Sequence, residues 1–205
     1  MDTWQIILSV MAGVGLSAAC GFRIFIPPLI IAIAAKAGHV NLGTEFAWMG
    51  SDIALVAFGL AAVLEVGAYY IPWLDNALDT IAAPVAVVAG TITSAAVFGD
   101  MSPWLKWTLA AIAGGGAAGA VQITTTVTRG ASSAITGGMG NWVVSTAEGI
   151  GSIFTAVLAI VIPVLVFSLF VLFVGFLVWK NPAKLYRNWR ARKDRLREPP
   201  LLAAS

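Results

Sequence analysis

Leu64-Glu65-Val66-Gly67-Ala68-Tyr69-Tyr70-Ile71-Pro72-Trp73-Leu74-Asp75-Asn76-Ala77-Leu78-Asp79-Thr80-Ile81-Ala82-Ala83-Pro84 lies between apolar flanks and carries three carboxylates and one amide. Asp75 and Asp79 are four residues apart and share one face of a helix; Asn76 and Thr80 repeat that spacing beside them. Glu65 stands near the end of an apolar run that starts at Ile53. A carboxylate at mid-membrane costs roughly 2.5–3.5 kcal/mol even on the lowest scales, so these acids are expected to turn toward protein, water or headgroups. Asp75 also suits an N-cap or first helical turn after Pro72, where a carboxylate meets free N–H groups.

Those flanks set the class. Of 205 residues, 59% are hydrophobic and 11% charged, and the mean hydropathy is +0.89. A soluble domain is about one quarter charged, so the chain reads as an integral membrane protein. At roughly 20 residues per crossing, five to seven helical elements fit. The apolar runs are long and unbroken, unlike the short alternating strands of a barrel. The expected fold is all-α, a polytopic transmembrane helix bundle with broken or re-entrant helices. Cys20 and His39 are each the single residue of their kind. That excludes an internal disulfide, zinc sites built on several His or Cys residues, and Cys–His catalysis; no metal and no cofactor is expected. Leu16 to Cys20 has the look of a lipoprotein signal, but Asp2 and the lack of an early basic residue argue for a retained N-terminus.

The first segment, residues 4–20, is rich in Gly, Ala and Ser, which lets helix backbones approach closely in lipid. Arg23 follows, and Pro27 is expected to break the chain before a short run from Leu29 to Ala35. Arg23 suits either an interfacial snorkel or a buried partner. Residues 38–52 read as a polar loop with Trp48 as an interfacial anchor, and Trp104 and Trp107 around Lys106 read as a second interface. In the segment from Leu105 to Thr128, Gly114-Gly115-Gly116 either seats a close helix contact or unwinds the helix. Gln122, Thr125 and Arg129 make one polar stripe; Asn141, Ser145 and Glu148 make another. Between them, residues 131–140 are poor helix sequence, expected to line a cavity or be buried in protein. The run from Ile150 to Trp179 should cross the membrane with a kink at Pro163.

Eight of the twelve Lys and Arg residues lie from Lys180 onward. The positive-inside rule puts this tail, 180–205, in the cytoplasm, as an amphipathic helix on anionic lipid. Nucleic acid is not an expected partner, since the basic run is juxtamembrane. The transmembrane domain, 1–179, carries a loose internal echo between about 4–98 and 103–179. Ala12 to Gly15 resembles Ala113 to Gly116, and each half holds one arginine and one intramembrane glutamate. A duplicated, inverted-repeat transporter fold has that pattern.

The line Glu65, Ile71-Pro72-Trp73-Leu74-Asp75-Asn76-Ala77-Leu78-Asp79, Pro84, Gly90, Arg129, Asn141, Ser145 and Glu148 resembles a family of bacterial membrane proteins catalogued as domain of unknown function 4126. Gly15-Leu16-Ser17-Ala18-Ala19-Cys20-Gly21-Phe22-Arg23 is similar to that family's start, and the likeness covers about residues 10–175. Gly149 stands where the family often has a second acid, and Gln122 and threonines replace its basic or histidine residues before the arginine. Both departures weaken a proton relay. The resemblance implies a bacterial inner-membrane protein and no settled activity.

From the residues themselves, a small transporter or channel is the first expectation. Its pathway would be built from Arg23, Glu65, Asp75, Asn76, Asp79, Gln122, Thr125, Arg129, Asn141, Ser145 and Glu148, and a small solute or ion would be its cargo. The alternative is a structural or lipid-interacting protein whose buried pairs only fix helix packing. An enzyme is not expected, because Asp75 and Asp79 lie one turn apart on one helix and do not converge on a substrate atom. The Gly-rich faces also fit a homodimer.

Overall fold

A computed structural model describes residues 2–99 and 101–180; within them, the side chains of Pro72, Trp73, Asp75, Asn76 and Asp79 lie outside the description. The helices are α1 (Thr3–Cys20), α2 (Ile26–Lys36), α3 (Asp52–Ala68), α4 (Pro72–Val97), α5 (Pro103–Leu109), α6 (Gly116–Thr136), α7 (Asn141–Val161) and α8 (Pro163–Lys180). A 3-10 segment, Thr44–Gly50, precedes α3, and a π segment, Ala110–Gly115, joins α5 to α6. The described residues thus form an all-α fold of apolar helices, a multi-pass membrane protein. Among the described residues, four stretches are long and apolar enough to cross, in α1, α4, α7 and α8. The 3-10 segment and α3, bent by 66°, make a fifth if taken as one span. At about 1.5 Å per residue, the 11 residues of α2 reach only about halfway across a bilayer core.

Local chemistry explains the boundaries. Gln5 Oε1 accepts from the Asp2 N–H at 3.3 Å to start α1, and Ser51 Oγ accepts from Ala54 N at 3.2 Å to start α3. Pro27, Pro28, Pro72, Pro103 and Pro163 all sit in first turns, where the missing N–H costs nothing. The expectation that Pro27 breaks the chain is therefore corrected: the break is the turn at 21–25, and the prolines begin α2. A second correction concerns residues 131–136, which stay helical. Thr136 Oγ1 donates back to Ser132 O at 2.7 Å, and α6 stops only where Gly137 takes a left-handed φ of 64°. The run around Pro163 is divided at Ile162, between α7 and α8.

The two arginines of the expected repeat sit in different local structure. Arg23 lies in a turn between two helices, whereas Arg129 lies well inside α6.

The chain divides into two compact units, Met1–Phe170 and Val171–Ser205. In the first, α1 packs against α4, α6 and α7, while α2 packs against α3, α7 and the 3-10 segment. Leu16, Ala19, Ile31, Phe98, Ala156 and Ala159 are in the core. Small residues set the helix spacing, and serines tie the backbones together. Ser17 Oγ donates to Gly114 O at 2.6 Å, Ser94 Oγ to Gly13 O at 2.9 Å, and Ser152 Oγ to Ala19 O at 3.0 Å. The close-contact reading of the triple glycine holds, since Gly114 and Gly115 abut α4; the helix does not unwind there but widens into a π segment. In the second unit, only the end of α8 is described; there Lys180 Nζ lies 4.9 Å from the Phe176 ring centroid. The amphipathic tail helix expected beyond Lys180 lies outside the described residues.

A Cβ on Gly90 would stand 2.6 Å from Ala118 Cβ. Gly90→Val is expected to cost about 1–3 kcal/mol of stability by overpacking. Gly116, with no described atom within 4 Å of such a Cβ, is expected to tolerate alanine or gain about 0.5–1 kcal/mol. Thermal unfolding of the detergent-purified variants measures the contrast.

Candidate functional site: a charge cluster around Tyr69

The turn at 21–25 is short and holds Arg23 against the bundle, 1% exposed. Its Nη2 donates to the Ser145 carbonyl at 2.7 Å and to Ser145 Oγ, and lies 3.6 Å from Glu148 Oε2. Arg129 reaches the same carboxylate from α6. Its Nε donates to both Glu148 oxygens at 3.1 Å, and its Nη2 pairs with Glu148 Oε2. Two guanidiniums thus share one acid. Both also stack on Tyr69, which ends α3: Arg23 Cζ is 4.0 Å and Arg129 Cζ 4.1 Å from the ring centroid. Guanidinium–ring contacts of this kind contribute about 0.5–2 kcal/mol each, more when dry.

Glu65 lies one turn before Tyr69 on α3. Its Oε1 accepts from Ile24 N at 2.7 Å and its Oε2 from Phe25 N at 3.0 Å. The carboxylate therefore pins the turn that carries Arg23, and it satisfies donors at the start of α2 that no helical carbonyl can reach. Tyr70 Oη and Thr146 Oγ1, 2.8 Å apart, add a tie from the α3–α4 turn to α7.

Arg23, Glu65, Arg129, Ser145 and Glu148 therefore meet. The structure places the other expected residues differently. Gln122 and Thr125 are buried on the same stripe as Arg129, but their bonds described here stay within α6: Gln122 Nε2 to Thr126 Oγ1 at 3.4 Å and Thr125 Oγ1 to Gln122 O at 2.9 Å. Asn141 Nδ2 donates to Ser133 Oγ at 2.9 Å and joins the ends of α6 and α7. Asp75, Asn76 and Asp79 lie in the first turns of α4, and their side chains are outside the description.

Tyr69 is the member of the cluster that sequence reasoning missed. Its signal was the i, i+4 spacing from Glu65, which puts both on one face of α3. Lys106, between Trp104 and Trp107, is 3% exposed and donates to Glu45 Oε2 at 3.1 Å, so it is a buried tie between α5 and the 3-10 segment. Its long stem covers the distance to a half-exposed acid.

Removing one member of a buried charge pair costs about 3–5 kcal/mol, because the partner is left uncompensated. Glu148→Gln leaves two guanidiniums over one ring and is expected to lose stability on the order of 3–5 kcal/mol. Tyr69→Leu is expected to lose less, about 1–3 kcal/mol for two cation–π contacts. Thermal melts of both variants test the order.

Comparisons with curated proteins and with solved structures give no match. A family model described as Domain of unknown function (DUF4126) matches residues 10–182, which include every residue of the cluster. This multi-pass membrane protein belongs to the DUF4126 family.

Proposed function

We propose that the protein is a small transporter whose solute crosses beside the Arg23–Glu148–Arg129 cluster, with the shared ion pairs as its gate. One observation carries the reading: two guanidiniums, Arg23 from a turn and Arg129 from α6, lie on one buried ring and share the carboxylate of Glu148 from α7. Such groups inside a membrane bundle are by default marks of a solute or ion path. Arg23 Nε and Nη1 have no hydrogen-bond partner among the described residues. A buried donor left unmade costs about 1–3 kcal/mol. Arg23 therefore keeps donors for a second set of partners when the helices around it move. The proposal includes a bacterial cytoplasmic membrane, the basic tail on its cytoplasmic side against anionic lipid, and no catalysed reaction.

A second reading is favoured by a separate observation. Each of the four Lys and Arg residues before Lys180 already has a carboxylate: Arg23 and Arg129 with Glu148, Lys36 with Asp52, Lys106 with Glu45. On that reading the charges only fix the packing of the helices.

Proteoliposomes on a solid-supported membrane separate the two. Wild type is expected to give current or a pH change with at least one class of organic cation, carboxylate or phosphate, and Glu148→Gln to abolish it at equal incorporation. If nothing moves, and the reversed pair Arg129→Glu/Glu148→Arg melts within a few degrees of wild type, the packing reading replaces the transporter.

A further inference from the structure

A cavity of about 480 Å³ lies between α3 and α4, within the size range of small-molecule sites. Ala61, Leu64 and Ala68 line it from α3, and Leu78, Ile81 and Val85 from α4. Leu64, Ile81 and Val85 are also exposed, so the cavity opens sideways between residues that face the bilayer. At its inner end stand Glu65 and Tyr69. Glu65 is the ionisable acid in this wall among the described residues, and the rest of the wall is hydrocarbon and the Tyr69 ring.

From this geometry we infer that the cavity is the binding site for a lipophilic organic cation, an amine or quaternary onium with an apolar body. The inference rests on the transporter reading and names its substrate class. Each Glu65 oxygen accepts one backbone N–H. A carboxylate has about four acceptor sites, so half of its capacity remains for a ligand. Arg23 and Arg129 are not in this wall; they lie on Tyr69 and share Glu148. A hydrophobic body is required by the wall, because a small hydrated cation would give up its water for hydrocarbon. Lateral opening sets the route of entry: a lipophilic cation partitions into the bilayer first and reaches Glu65 from there.

Tetraphenylphosphonium is the probe, with tetraphenylborate as a matched anion, titrated into full-length protein in detergent and followed by calorimetry. Saturable binding of the cation, no binding of the borate, and at least a tenfold loss in Glu65→Gln are expected. Glu65 also pins α2, so a second variant keeps it: Ala68→Trp fills the cavity and is expected to lose the same tenfold while melting near wild type. Binding of the borate as tightly as the cation overturns the inference. So does undiminished binding in a folded Ala68→Trp, or a co-purified phospholipid that tetraphenylphosphonium does not displace. Flux of some other solute, with no binding of the probe, overturns this site and leaves the transporter reading standing. Binding without any movement across the bilayer keeps the site and overturns the transporter.

Discussion

Glu148 holds two guanidiniums at once, and the arrangement of the bundle depends on that sharing. Arg23 comes from the turn after α1, Arg129 from α6, and Glu148 from α7. A buried ion pair contributes little net stability, because taking charges out of water costs about what their attraction returns. Its larger effect is on specificity. Any packing that separates the three groups leaves a charge in hydrocarbon, and that cost far exceeds the few kcal/mol by which alternative helix registers differ. The cluster therefore selects one arrangement of apolar helices that would otherwise slide on one another.

Two kinds of joint follow from this. α1, α4, α6 and the π segment meet through Gly, Ala and Ser, where backbones touch and serine hydroxyls bond to carbonyls. Such contacts are short and have no soft side chains to yield. α3 is attached differently. It buries only Ala54 and Ala62, and it packs on α2 and the 3-10 segment. Polar ties hold it at both ends: Lys36 with Asp52 and Lys106 with Glu45 near its start, and Glu65, Tyr69 and Tyr70 near its end. A limb fastened by a few polar contacts and few apolar ones belongs to the less stable part of a structure.

The fold class and the buried polar stripes were legible in the sequence because both are local. Hydropathy marks the apolar segments, and the spacing of Gln122, Thr125 and Arg129 marks a face that the structure buries. That Arg129 and Glu148 turn inward follows from the cost of the alternative. Their mutual pairing does not, since it depends on the turn at 137–140 bringing α6 and α7 side by side. Residues 131–136 were misread for a related reason: glycine and serine content lowers intrinsic helix propensity, but packing and the Thr136–Ser132 bond outweigh it. Pro27 starts a helix where the sequence suggests a break, because a proline's effect depends on whether helix lies before it or after it. The role of Tyr69 needed coordinates; an aromatic ring at the end of an apolar run has many uses, and only two converging cations single out this one.

The position of the ties bears on how the proposed transporter would work. α4 begins beside the Tyr69 turn and ends near Gly43, whose N–H bonds to Ala96 O at 3.0 Å. The cluster and the Lys106–Glu45 pair therefore sit toward opposite ends of a helix of 26 residues, roughly 39 Å long. A solute passing between the α2–α3 limb and the core meets both. If both ties opened together, the limb would lose its polar fastening at both ends and the path would be open throughout. Opening one at a time keeps the other as a hinge, and it is the mode in which the uncompensated charge at any moment is confined to one end. The spare donors of Arg23 then matter most, since it can trade Ser145 for new acceptors as its end opens. Lys106 with its single acid partner among the described residues is suited only to make or break one bond.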